Sequence, residues 1–191
     1  MLVNVYDFDK TIYKHDSGVD FYFFCLKKFP IKVLKTTFKT VPTAILYLFK
    51  KRNTLELKDK IIYFINEIDL DVTVKEFWNT HEKYITNWYK KQKRKDDIIV
   101  SANTDFLLKE ICSRLGVKMI ATTYNFKKKK HVGLHCKNKN KITLFYEKYP
   151  KYKMNKTYSD SKHDIPLLEE GKEAYVVKGE KLIKYYKGYF K

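Results

Sequence analysis

Leu2-Val3-Asn4-Val5-Tyr6-Asp7-Phe8-Asp9-Lys10-Thr11 is the stretch that decides the fold. Residues 2–6 are short, apolar and β-prone, and they read as a buried strand that runs straight into Asp7. Side chains alternate faces along a strand, so Asp7, Asp9 and Thr11 point the same way if the extended geometry persists. Two carboxylates and a hydroxyl would then meet beyond the carboxyl end of a strand, which is where open α/β sheets bind ligands. Two adjacent carboxylates repel, and a divalent cation or a phosphoryl group gives a reason to keep them together. One can attack phosphorus and become an aspartyl-phosphate. The other can protonate the leaving oxygen and later activate water. The plainer alternative is an exposed, Asp-rich turn.

Working outward, Lys14 to Gln92 looks helical throughout. Asp16 or Ser17 can cap the first helix, and Pro30 marks a break. Ile31, Leu34, Phe38, Val41, Ile45, Leu48 and Phe49 recur at helical spacing, with Pro42 expected to kink or restart that helix. Leu55 to Ile68 and Val74 to Lys91 form two more amphipathic stretches. From Asp97 the pattern changes: Ile98-Ile99-Val100 reads as a strand ending in Ser101-Ala102-Asn103, then Phe106 to Leu115 as a helix stopped by Gly116. Val117 to Thr122, Lys156 to Ser159 and Ala174 to Val177 complete the strands, and Lys127 to Lys130 reads as a loop or hairpin tip. Strands alternating with helices imply an α/β fold with a parallel sheet. The segment between the first strand and Ile98 is too long for an ordinary crossover. The expected organisation is a core of residues 1–13 and 93–191, with a helical cap of residues 14–92 inserted after the first strand.

Three further places carry chemistry. Asp160 follows a strand, and Asp164 lies a turn later in Ser159-Asp160-Ser161-Lys162-His163-Asp164. Their oxygens suit a magnesium site shared with Asp7, although Asp160 as a simple helix cap is the bland alternative. Ser101 places a hydroxyl at another strand end, where it and nearby backbone N–H groups could hold a phosphate oxygen. Lys137, Lys139 and Lys141 cluster in what otherwise reads as a solvated basic loop.

Taken in order, Asp7-Phe8-Asp9-Lys10-Thr11, Ser101, a lysine and Asp160-x-x-x-Asp164 resemble the four motifs of the haloacid dehalogenase superfamily. The helical insertion after the first motif resembles the C1-capped, phosphoserine-phosphatase-like branch. Tyr158 to Leu168, and Cys136 five residues before Lys141, are similar to phosphatidylglycerophosphatase C and its relatives. The resemblance implies a Rossmann-like core and a magnesium-dependent phosphatase. Asp7 would be the nucleophile and a Mg2+ ligand. Asp9 would be the acid/base and offer Mg2+ its backbone carbonyl, and Thr11 would support that loop. Ser101, with Ala102 and Asn103, would bind the phosphoryl oxygens. Lys141 would neutralise the nucleophile, with Lys137, Lys139 and Lys162 as the other lysines at hand. Asp160 would bind Mg2+ directly, and Asp164 would support it from behind. The resemblance departs at Lys10, where many relatives have Gly or Ser, and at Ser101-Ala102-Asn103, where they often have Gly second. Asp16 stands where phosphoserine phosphatases place a glutamate for the substrate's amino group, which argues against phosphoserine as the substrate.

Composition bounds the rest. A chain of 191 residues with 44% apolar content can bury a real core. The net charge of +18 fits either a solvated lysine-rich surface or an anionic partner. The excess is mostly lysine, so arginine-based readout of specific nucleic-acid bases is not expected. Three cysteines without a CxxC favour neither disulfides nor zinc and suit a reducing, cytoplasmic setting. The N-terminus lacks signal-peptide character, and no run is long enough to span a bilayer. The Ile31-to-Phe49 stripe is flanked by Lys32, Lys35, Lys39, Lys50, Lys51 and Arg52. It is expected to pack as an ordinary cap helix, with peripheral contact at an anionic membrane as the second reading. Tyr22, Tyr47, Tyr84, Trp78 and Trp88 are expected in cap core or interface. The substrate would be a phosphorylated small molecule or a lipid phosphate. The competing function is a non-catalytic basic module that binds anionic lipid or nucleic acid.

Overall fold

A computed structural model describes residues 1–48 and 54–190, with the side chains of Thr43 and Leu46 left out. A sheet forms the middle of the molecule. Its strands are β1 (Leu2–Tyr6), β2 (Ile98–Thr104), β3 (Lys118–Asn125), β4 (Lys130–Val132), β5 (Lys153–Ser159), β6 (Glu173–Lys178) and β7 (Lys181–Lys184). They lie in the order β4-β3-β2-β1-β5-β6-β7. The five inner strands are parallel, while β4 and β7 pair antiparallel at the edges. This is the mainly parallel, Rossmann-like α/β architecture expected from the alternating pattern. From β1 the chain moves out to β2 and β3, and it later returns to the other side of β1 as β5 and β6. The connections therefore reverse direction between β1 and β5, at the crevice where such sheets bind ligands.

The strand alternation shows directly in the core. Val3 and Val5 pack on one face with Ile98, Val100, Phe145 and Leu167. Tyr6 points to the other face, where it stacks on Tyr158 with ring centroids 4.5 Å apart. The first face is covered by α7 (Asn140–Lys148) and α8 (Ile165–Glu170). The second carries α4 (Leu70–His81), α5 (Asn87–Gln92) and α6 (Asp105–Leu115). Trp78 of α4 is fully buried, and its indole N–H donates to the carbonyl of Leu107, 2.8 Å away.

Local signals explain the helix ends. Asp16 caps α1 (Ser17–Lys28) by accepting from the Val19 N–H at 3.1 Å. Pro30 opens α2 (Pro30–Leu48), as a proline at a helix start can. Gly116 ends α6 at φ 66°, a left-handed value that glycine adopts without strain. Lys127 to Lys130 forms the tip of the β3–β4 hairpin.

Several expectations need correction. Pro42 lies inside α2, which continues through it. The stretch from Leu55 to Ile68 is α3 (Thr54–Ile61) followed by a 3-10 turn at Tyr63–Glu67, and Val74 to Lys91 is interrupted at Glu82–Thr86. The loop expected at Lys137–Lys141 instead leads into α7, and its last lysine is buried. Asp160 does not cap a helix; Ser161 caps the 3-10 turn Lys162–Asp164.

The largest correction concerns α2. It buries Val33, Thr36 and Thr40, while Ile31, Leu34, Phe38, Val41, Ile45 and Leu48 stay exposed. The hydroxyls of Thr37 and Thr40 satisfy themselves on the carbonyls of Val33 and Thr36, both at 2.9 Å, so small residues can face the interior. Tyr47 is likewise exposed, and Tyr22 lines a cleft rather than only filling core. Phe49, Lys50, Lys51 and Arg52 lie outside the described residues. Among the described residues, no helix is long and apolar enough to cross a membrane.

Candidate active site

At the carboxyl edge of β1 and β5 the chain gathers acidic side chains around one ammonium. Lys141, 2% exposed, sends its Nζ to Asp7 Oδ1 at 2.6 Å and to Asp164 Oδ2 at 2.7 Å. Asp7 is held where β1 ends, by its own N–H on the Tyr158 carbonyl of β5. Ser159 donates to Asp164 Oδ2 at 2.7 Å and fixes that carboxylate from behind. The Thr11 hydroxyl lies 3.4 Å from Asp7 Oδ2 and 3.3 Å from Asp160 Oδ1, and it accepts from the Asp160 N–H at 3.0 Å. The Thr11 hydroxyl therefore stands between the carboxylates of Asp7 and Asp160.

The charges in this cluster do not cancel. Burial disfavours the Lys141 ammonium, but Asp7 and Asp164 outweigh it and hold the group protonated, above the ordinary lysine range. For Asp7, burial and the neighbouring Asp164 and Asp160 outweigh Lys141 and raise its pKa. Burial raises Asp160 as well. One cation thus faces an excess of carboxylate, a situation that an added cation relieves. Among the described residues no group of three acidic, histidine or cysteine side chains is placed to hold a metal ion by itself. Mg2+ dehydrates reluctantly and is often held by only one or two carboxylates, so Asp7 and Asp160 would be the oxygens offered to it.

Asp9 points elsewhere. Its Oδ1 accepts from the Ser17 N–H at 2.7 Å and the Ser17 hydroxyl at 2.6 Å, and its Oδ2 accepts from Asn103 Nδ2 at 3.1 Å. Burial first, then the nearby Asp16, pushes its pKa up to about 6. Lys10 reaches this loop at φ 58°, a left-handed value that costs a side-chain-bearing residue. Ser101 is 1% exposed and its Oγ accepts from the Asn103 N–H at 3.1 Å, so β2 ends in a bonded loop. Ala102 lends that loop a carbonyl, which accepts from Thr122 Oγ1 at 3.1 Å and from Lys58 Nζ at 3.4 Å.

Of Lys137, Lys139, Lys141 and Lys162, only Lys141 contacts Asp7 among the described residues. Lys137 lines the adjoining cleft. That cleft has a volume of about 700 Å3. It is lined by Asp7, Asp9, Ser101 and Lys141 together with Tyr22, Val41, Ala44, Leu57 and Ile61 of the helical segment. Four residues around the site were not singled out for a role in it from the sequence. Ser17 and Ser159 orient Asp9 and Asp164, and their only signal is a serine close to each aspartate. Lys58 reaches the Ala102 carbonyl from α3. His131 bridges Asp59 of α3, with 2.6 Å at Nδ1, to Thr104 of β2, with 3.0 Å at Nε2. A carboxylate can only accept, so Nδ1 carries the proton and Nε2 accepts from Thr104.

Comparison with known proteins fits this geometry. The family model described as haloacid dehalogenase-like hydrolase matches residues 5–169. A protein of unknown function from Bordetella pertussis Tohama I has a similar structure, with a TM-score of 0.73 and 17% identity, covering 91% of this chain and 88% of that one. A phosphoserine phosphohydrolase-like protein from Francisella tularensis subsp. tularensis SCHU S4 gives a TM-score of 0.54 at 17% identity, covering 91% and 86%. At these identities the likeness is one of fold. No curated protein sequence matches the chain. The family match spans most of the sequence, and the chain belongs to the haloacid dehalogenase-like hydrolase family.

Proposed function

We propose that this haloacid dehalogenase-like hydrolase is a magnesium-dependent phosphatase that acts through an aspartyl-phosphate on Asp7. The observation that carries the reading is Lys141, buried between Asp7 and Asp164 while Asp160 faces Asp7 across Thr11. A structural ion pair needs one carboxylate; here the surplus of negative charge converges beside an open cleft.

Asp7 attacks the phosphorus of a phosphate monoester in line. Asp9, held by Ser17 and Asn103 with a pKa pushed up to about 6, gives its proton to the departing alkoxide and then takes one from the water that cleaves the aspartyl-phosphate. Lys141 offsets negative charge on Asp7 and on the transferring group. Ser101, Ala102 and Asn103 hold the phosphoryl oxygens at the end of β2. Asp7, Asp160 and the backbone carbonyl of Asp9 would hold Mg2+, with Asp164 supporting from behind Lys141. The ion would supply Lewis-acid stabilisation of the phosphoryl oxygens. Residues 14–92 act as the cap and supply apolar lining to the cleft, and residues 1–13 and 93–191 form the catalytic core. The substrate is a phosphorylated small molecule or a lipid phosphate. The apolar residues that the cap contributes favour a leaving group with apolar bulk.

Hydrolysis of p-nitrophenyl phosphate tests the reading. Turnover should require Mg2+, stop with EDTA and vanish in Asp7→Asn. Metal-independent turnover, or an active Asp7→Asn, contradicts it.

A further inference from the structure

Helix α2 is built inside out for a helix in water. Ile31, Phe38 and Leu48 are 81%, 73% and 78% exposed, whereas Thr36 and Thr40 are buried. At 3.6 residues per turn, Ile31, Leu34, Phe38, Val41, Ile45 and Leu48 fall within roughly 100° of the helix circumference. They make a continuous apolar strip about 25 Å long. Contiguous apolar surface of this kind marks an interaction site rather than scatter. Exposed Lys32, Lys35 and Lys39 flank the strip, and α2 contains no acidic residue.

We propose that this face of α2 docks on an anionic membrane surface. Charge decides the occupant: an apolar strip bordered by lysines, on a chain of net charge +18, complements acidic headgroups over acyl chains. A second copy of the chain would bring the same lysines against each other. The helix lies along the surface, since none of the described helices can cross it. Val41 belongs both to the strip and to the wall of the cleft that holds Asp7, and Thr37 and Ala44 line the cleft beside it. Docking therefore sets the cleft mouth against the bilayer. In that position a phosphate ester anchored in the membrane reaches Asp7 without leaving its leaflet. This last step rests on the phosphatase reading; the docking does not.

The test is co-sedimentation of the full chain with phosphatidylcholine vesicles, with and without phosphatidylglycerol, at low and high salt. The protein should bind the phosphatidylglycerol vesicles and be weakened by salt. Ile31→Glu and Phe38→Glu should each lower partitioning by about tenfold or more while hydrolysis of soluble p-nitrophenyl phosphate stays at the wild-type rate. Lys35→Glu combined with Lys39→Glu should weaken binding and flatten its salt dependence. Circular dichroism identifies any variant that misfolds, and the lysine pair then stands in for the apolar one. Asp7→Asn should bind vesicles like the wild type, so loss of catalysis and loss of docking are read separately. Failure of the wild type to bind anionic vesicles overturns the proposal, as does a salt-independent dimer that Phe38→Glu breaks.

Discussion

A lysine buried between two carboxylates cannot be replaced cheaply, because whatever leaves exposes the others to an apolar surrounding. Lys141→Met keeps the volume but strands Asp7 and Asp164, and breaking a buried pair in this way costs about 3–5 kcal/mol. Urea unfolding should show a loss of that size, and phosphatase turnover should fall by about two orders of magnitude or more. Ser17→Ala acts more narrowly. It removes the hydroxyl that lies 2.6 Å from Asp9 while the Ser17 N–H remains. A single hydrogen bond to a charged group is worth about 1.5–3 kcal/mol, so kcat should fall by about tenfold to a hundredfold with KM nearly unchanged. Steady-state kinetics checks both numbers. Asp7 was legible because it follows a β-prone run, but the extended strand ends at Tyr6, so Asp9 turns to Ser17 and Asn103 instead of meeting Asp7 as the two-residue spacing had suggested. Lys141 was legible only through the family resemblance, since one lysine among Lys137, Lys139 and Lys141 looks like another surface charge until α7 turns it inward.

At the scale of elements, close approach and burial govern the outcome. The turn between α8 and β6 passes so near β5 that a Cβ on Gly171 would sit 2.6 Å from the Thr157 hydroxyl and 2.9 Å from the Glu173 carbonyl. Thr157 is fully buried and the carbonyl is backbone, so neither yields easily. Gly171→Ala should lower stability by about 1–3 kcal/mol, measured by thermal or urea unfolding. His135 gives a pH signature. Burial first, then Lys58 and Lys137, push its pKa from the usual 6.5 to about 4. Its neutral form is the folded one, so the stability it allows is complete above pH 6.5 and is lost as pH falls toward 4. Relative to His135→Gln, the wild type should lose about 1–3 kcal/mol across that window, read from unfolding at a series of pH values. Burial lowers His131 in the same direction, against the pull of Asp59. Helix ends were readable from Asp16, Pro30 and Gly116. The orientation of α2 was not, because periodicity finds an apolar strip but cannot say whether neighbours or solvent lie against it.

For the whole molecule, topology does what no single residue signals. Placing β1 between β2 and β5 brings three distant segments, around residues 7, 101 and 160, to one edge of the sheet. The alternation of strands and helices predicted that parallel sheet, but the edge strands β4 and β7 are too short and too lysine-rich to announce themselves. The helical segment between β1 and β2 then leaves a cleft directly over Asp7. The most direct check on Asp7 as nucleophile is to find the phosphoryl group on it. The enzyme is mixed with p-nitrophenyl phosphate and Mg2+, quenched in acid during turnover, and its peptides are weighed. A phosphoryl group on the peptide bearing Asp7, released by hydroxylamine and missing in Asp7→Asn, is the expected result. Steady turnover with that peptide unmodified at every quench time, or the phosphoryl group on another residue, would contradict the account.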